Sequence, residues 1–330
     1  MGVSFLKSPP ALVVAALLGL VLAFGAGPAG AQDAKLVPLK VGTLKQASLT
    51  DVWVAKQAGI FAKNGLDVEL IEFRNGNEAI AAQRGGHVDI VLSIPGTAMA
   101  AIERGFDLVL LSQNETSHGT PPDSGALIVL KDSGINSLSD LVGKKIALSG
   151  LHSQKTVAVQ RVLKNAGIDP KKVQFVEIPY ASHPDVLRSK QVDVVASLDP
   201  WTTQMRTSDY AKVLGWDYVQ SIPEQPIGAW YARREYVQKN ADTVARFARS
   251  IRDVIEYMNA DDERAKKNVA AYTGLDVGLL KQMPLNRWSY TIHPDKWQAV
   301  IDMMHESGEL QKPHKAAEFF SDTVKPYIAK

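Results

Sequence analysis

The residues best suited to hold a small molecule fall in short polar runs that follow apolar, strand-like segments. In the first third of the chain these are Gln46 and Ser48, then Asn75 and Asn77, then Ser93. Further on they are His152, Ser153 and Gln154, then Tyr180 and His183, then Asp199 and Trp201. Where a strand ends and a helix begins, free backbone N–H groups and the positive helix end favour an anion. Amide and hydroxyl side chains there add donors. The pattern is one of recognition, not of bond breaking. The chain has no cysteine and therefore no thiol nucleophile. No G-x-S-x-G elbow frames a serine. No His/Cys/Glu cluster has metal-ligand spacing, so neither a metal nor a cofactor is expected.

Each of these residues also has a plainer role. Ser48 and Ser153 suit helix N-caps, and a capping serine can still present neighbouring N–H groups to a ligand. Asn75 and Asn77 flank Gly76 and serve equally as turn formers or as donors. Arg74 pairs with a carboxylate or sulfonate, or stays a solvated charge. Tyr180 and Trp201 pack the fold or stack on a ligand. Asp199 caps the helix starting at Pro200-Trp201-Thr202, or recognises an ammonium or hydroxyl group.

The elements that position them occur twice. Val88 to Pro95 reads VDIVLSIP and Val192 to Pro200 reads VDVVASLDP, with Asp89 and Asp193 separated by 104 positions. Lys40 to Leu44 opens one unit and Lys145 to Ser149 the other. Each unit reads strand, helix, strand, helix, strand, which predicts an α/β fold of two lobes, each a mixed sheet flanked by helices. Ligands of open α/β sheets bind at the carboxyl ends of strands, so facing lobes make a cleft. Polar Asn114 to Ser124 and Pro-containing Ile222 to Gly228 are the expected crossings, the first read as exposed and mobile. Lobe one is then 37–124, lobe two 125–226, and 227–330 returns to lobe one. Val244, Phe247, Ile251, Val254, Ile255 and Met258 make a helical apolar stripe in the returning part.

Lys7, the apolar run Ala11 to Phe24 and Ala29-Gly30-Ala31 have the layout of a cleavable export signal, 1–31. The remaining 299 residues carry 36 basic and 35 acidic side chains. Such a balance argues against nucleic-acid binding. Export without cysteine gives a protein that needs no oxidative folding and carries no lipidated cysteine.

Val54-Ala55-Lys56-Gln57-Ala58-Gly59-Ile60-Phe61, Asn64 to Val68, Gly86 to Ile90, Lys131 to Ile135 with Leu138 to Lys145, Val192-Asp193 and Asp199-Pro200 stand in an order with a known counterpart. It resembles the periplasmic binding proteins of ABC importers for sulfonates, taurine, nitrate and thiamine-precursor pyrimidines. The resemblance covers residues 37 to 260. It implies the type II two-lobed periplasmic binding protein fold and a monomeric receptor, not an enzyme. Such a receptor captures a small organic anion, sulfonate or carboxylate, and hands it to an inner-membrane ABC permease and its ATPase. The alternative is a pyrimidine or thiamine-precursor receptor. Enzymes of the same fold use a cysteine, alone or with histidine, that this chain lacks.

Export with cleavage after Ala31 predicts Gln32 as the first residue of the mature protein. Mass spectrometry of a periplasmic fraction would check this, and intact Met1 protein in the inner membrane would contradict it.

Overall fold

The protein is described by a computed structural model at residues 35–44, 46–73, 76–285 and 287–329. The expected export signal, Arg74 and Asn75 lie outside the described residues. Leu36–Lys330 forms one unit. Its strands are β1 (Val37–Thr43), β2 (Leu66–Glu72), β3 (Ile90–Ser93), β4 (Leu108–Thr116), β5 (Gly125–Leu130), β6 (Lys145–Leu148), β7 (Gln174–Glu177), β8 (Val194–Leu198), β9 (Ala211–Gly215), β10 (Pro226–Arg233) and β11 (Arg287–Trp288). The helices before the second crossing are α1 (Thr50–Gln57), α2 (Ile60–Lys63), α3 (Gly76–Arg84), α4 (Pro95–Glu103), α5 (Gln154–Asn165), α6 (His183–Arg188), α7 (Trp201–Arg206) and α8 (Asp217–Ser221). After it come α9 (Arg234–Lys239), α10 (Ala241–Asn259), α11 (Asp262–Thr273), α12 (Val277–Gln282) and α13 (Pro294–Glu306).

These strands form two sheets, ordered β11-β4-β10-β3-β1-β2 and β7-β6-β8-β5-β9. In the first, β1 runs parallel to both β2 and β3; in the second, β6 runs parallel to β7 and β8. The sequence echo has a structural cause here. Asp89 accepts from the Lys40 amide at 2.9 Å, and Asp193 accepts from the Lys145 amide at 2.8 Å. The Asp89 and Asp193 amides return bonds to the Lys40 and Lys145 carbonyls at 2.9 and 3.0 Å. Each aspartate thus satisfies backbone of the middle one of three adjacent parallel strands, β1 in one sheet and β6 in the other.

Each sheet is completed by an antiparallel strand. Strand β5 lies between β8 and β9, and β10 enters between β3 and β4. Successive β10 residues face opposite sides of the sheet. Trp230 joins a cluster with Val41, Phe61, Phe247 and Ile251, while Tyr231 joins one with Met99, Leu110, Trp297 and Met304. The apolar stripe of α10 is wholly inside the first of these clusters.

Gly59 adopts φ 70° and separates α1 from α2. One reading of the sequence is corrected. The first crossing is exposed only at its middle, Thr120 to Pro122. Strand β4 continues through Thr116 with every residue buried, and Ser117, Asp123 and Ser124 are buried too. Strands β9 and β11 were not foreseen; β11 is only Arg287-Trp288, too short to show periodicity.

Phe247 is fully buried, stacked on Phe61 at 6.1 Å between ring centres and edge-on to Trp230 at 5.4 Å. Phe247→Ala should cost about 3–5 kcal/mol of stability, measured by urea unfolding. A loss below about 1 kcal/mol would mean that this helix does not organise the core.

Candidate functional site

The carboxyl end of β1 leads into a 3-10 turn, Ala47–Leu49, and then into α1. Ser48 does not cap the helix; Leu49 holds the N-cap position with no side-chain bond. The Ser48 carbonyl instead accepts from Asn114 Nδ2 at 3.2 Å and Trp288 Nε1 at 2.9 Å. Its hydroxyl bonds the Glu115 carboxyl. Glu115 is buried at the end of β4, and burial pushes its carboxyl up to about 8, helped by the charges of Asp123 and Asp51. Asp51 is fully buried in the first turn of α1, and burial likewise pushes it up to about 8, against the pull of the helix-start amides. Neither of its carboxylate oxygens meets a hydrogen bond of good geometry.

The second sheet presents the start of α5. Ser153 is its N-cap, with the hydroxyl oxygen 3.2 Å from the Thr156 amide and donating to the Gly150 carbonyl at 3.0 Å. Gln154 is buried. Its Oε1 accepts from the Gly96 amide of α4 at 3.1 Å, and its Nε2 donates to Gln225 Oε1 at 3.1 Å and to the Pro226 carbonyl at 2.9 Å. Lys155 is buried beside it, 2.7 Å from Asp217, and donates to the Ser197 carbonyl at 2.9 Å with the Tyr218 ring 4.5 Å away. Burial drives Lys155 down and Asp217 up, while their mutual attraction opposes both shifts. Among the described residues Lys155 is the single buried lysine or arginine, against buried Asp51, Glu115, Asp123 and Asp217.

An aromatic group stands on the same side. Tyr180 stacks on Trp201 with ring centres 6.0 Å apart and meets His183 edge-on at 5.3 Å. His183 is buried, its Nε2 bonds the Ile178 carbonyl at 3.0 Å, and burial pulls it down to about 4, so it is neutral at physiological pH. With Nε2 as the donor, its bare Nδ1 is an acceptor. Asp199 takes the Thr203 amide at 2.8 Å, the capping role; burial raises its carboxyl to about 6.

The remaining expected residues are peripheral. Gln46 is exposed at the turn, and Asn77 is exposed within the first turn of α3 instead of in a loop. Ser93 is buried, its hydroxyl 3.4 Å from the adjacent Ile94 carbonyl. His152 is on the rim, paired with Glu309 at 3.0 Å. Sequence reasoning missed Asp51, Glu115, Asp123, Lys155 and Asp217. The available signal was charge inside apolar or strand-like segments, as in Thr50-Asp51-Val52-Trp53-Val54. A cavity of about 640 Å³ is lined by Thr116, His118, Glu224, Met258, Arg287 and Trp288, among others, and by none of the expected site residues.

Comparison with known proteins agrees with this architecture. A protein of Brucella abortus described as a binding protein is 23% identical over 297 residues, 86% of this chain and 90% of its own length. The 4-amino-5-hydroxymethyl-2-methylpyrimidine phosphate synthase of Legionella pneumophila is 30% identical over 132 residues, 39% of each chain. The periplasmic aliphatic sulphonate binding protein SsuA of Escherichia coli superposes with a TM-score of 0.74 at 18% identity, over 87% of this chain and 98% of its own. That likeness shows the fold: two α/β lobes of a periplasmic binding protein. The NMT1/THI5-like family model matches residues 46–265, and the chain belongs to that family.

Proposed function

We propose that this protein is the solute-binding component of an ABC importer, working in the periplasm as a monomer. It holds a small nitrogen-bearing organic molecule between its lobes and performs no catalysis. Lobe one is 37–124 and 227–330, lobe two 125–226, and the permease with its ATPase is the partner. Among the described residues no helix is long and apolar enough to cross a membrane.

The observation that carries the ligand class is the sign of the buried charge. Asp51, Glu115 and Asp123 lie on the lobe-one and crossing side, while Lys155 is already committed to Asp217. An anion placed here would find, among the described residues, no buried cation free to balance it, whether these carboxyls are protonated or charged, and this favours a ligand with N–H donors over the expected organic anion. A carboxyl poised near neutrality suits an amino group next to a ring nitrogen. As an acid it donates through O–H and accepts through C=O; as a carboxylate it pairs with the protonated ring. The aminopyrimidine named for the Legionella relative has that edge, and Tyr180 and Trp201 supply an aromatic wall. Sulfonates, the ligands named for the superposing structure, are the second reading.

Thermal-shift and calorimetric titrations with 4-amino-5-hydroxymethyl-2-methylpyrimidine, an alkanesulfonate and nitrate would decide. The aminopyrimidine should raise the melting temperature, since a ligand at about 100 times its Kd adds about 2.7 kcal/mol. Glu115→Gln should weaken it about tenfold or more. Stabilisation by the sulfonate or nitrate alone would overturn the ligand class.

The same acids set a pH dependence for the ligand-free protein. An unfolded carboxyl loses its proton near pH ~4, whereas Asp51 and Glu115 keep theirs to about 8, titrating as a coupled pair. Their contribution to stability is therefore full below about pH 4 and lost as pH rises through about 8. Glu115→Gln should flatten the fall in urea midpoint over that window. Parallel curves for parent and variant would show that Glu115 is not so buried.

A further inference from the structure

The two lobes meet on two sides, and the two contacts differ in kind. On one side α5 packs against α4 and α13. Val157 of α5 is 2% exposed and belongs to the apolar cluster of Met99, Ile301 and Met304 in the first lobe. Gln154 at the start of α5 reaches the first lobe through its Oε1, which accepts from the Gly96 amide, while its Nε2 is held by Gln225 and Pro226 at the second crossing. A Cβ on Gly96 would sit 2.8 Å from Met304 Cε and 3.2 Å from Gln154 Cβ, so the helices touch with no spare room. Arg161 adds an ion pair to Glu306 at 3.2 Å.

On the other side the contact is polar and small. The Arg206 guanidinium, at the last residue of α7, donates to the Gln282 carbonyl at the last residue of α12. The final carbonyls of a helix lack partners within it, and a cation there also offsets the negative helix end. Arg206 is half-buried and its charge reaches Asp199, at the start of its own helix. Helix α12 belongs to the first lobe through Leu280, buried in the α10 cluster. Gln282 itself is exposed.

Separating the lobes along α5 would expose apolar surface and break the buried bond between the Gly96 amide and Gln154 Oε1. Separating them at α7 costs one partly solvated hydrogen bond. We infer that the cleft opens on one side only: α7 swings away from α12 about a fixed α5–α4–α13 seam, and Arg206 is the latch that holds it shut. Arg206 is a positioning residue in this account and touches no ligand. The inference rests on the two lobes and not on the ligand class proposed above.

The absence of cysteine makes the test clean, because introduced cysteines are the sole labelling sites. Spin labels at Gln204→Cys and Lys281→Cys report the latch side; labels at Lys164→Cys and Asp302→Cys report the seam. All four positions are exposed. Distances are read by pulsed dipolar spectroscopy on ligand-free protein, in the parent, Arg206→Ala and Arg206→Lys, each shown folded by circular dichroism. Arg206→Ala should shift the latch pair to longer distances and raise the radius of gyration in solution scattering. The seam pair should stay where it is. Arg206→Lys, which keeps a cationic donor, should restore much of the short-distance population. Equal widening of both pairs would overturn the fixed seam. An unchanged latch pair in Arg206→Ala would overturn the latch.

Discussion

The chain must pass between its two sheets twice, and each passage has buried residues, Ser117, Asp123 and Ser124 in the first and Ile222 and Gln225 in the second. Every N–H and C=O in a buried segment needs a partner, and neither sheet can supply them there. The passages therefore bond each other. The Ser117 amide donates to the Gln225 carbonyl at 3.0 Å, the Gln225 amide to the Ser117 hydroxyl at 3.1 Å, and the Glu224 amide to the His118 carbonyl at 3.3 Å. The Asp123 carboxylate takes the His118 amide at 3.2 Å. Gln225 ties this ribbon through its side chain to Tyr218 and Ser221 on one side and to Gln154 on the other. The floor of the cleft is thus polar because the connection between lobes has to be, and Glu115 and Asp123 are drawn inside by it.

One cation answers those acids. Lys155 is held by Asp217, the Ser197 carbonyl and the Tyr218 ring, and Gly125 makes the room. A Cβ at Gly125 would stand 2.6 Å from Lys155 Nζ and 2.9 Å from Asp217 Oδ1. The first residue of β5 is glycine because an ion pair occupies the space of its side chain. A buried ion pair of this kind is a poor source of stability. With Lys155 held by Asp217, the buried Asp51 and Glu115 have no ion pair of their own among the described residues.

Much of the fold was legible because its signals are local. The Val-Asp step recurs since each aspartate bonds the middle one of three adjacent parallel strands, and the α10 stripe follows from helical period alone. The site was legible only where a residue's role is local too. Ser153 and Asp199 cap helices, and Tyr180 and Trp201 stand after strands. Ser48 looked like Ser153 in sequence and behaves differently, because Trp288 and Asn114, far along the chain, claim its carbonyl. Asp51 and Glu115 gave only a weak sign of burial: one stands among apolar residues in a helix that could have faced water, the other in a segment whose polarity read as exposure. What buries them is β10, α10 and β11, which arrive only after the chain has left the first lobe and come back.

That late return governs the order in which the molecule can be made. Strand β10 occupies the slot between β3 and β4, so Trp230 pairs with Leu92 on one flank and Ser112 on the other. A chain delivered from its amino end presents β1 to β4 with that slot open, two unpaired strand edges and an uncovered apolar face. The second sheet is contiguous in sequence and can close on itself in the meantime. The first sheet waits for the longest-range contacts in the protein, which are the slowest kind to form. The half that comes first in the gene is the half that finishes last.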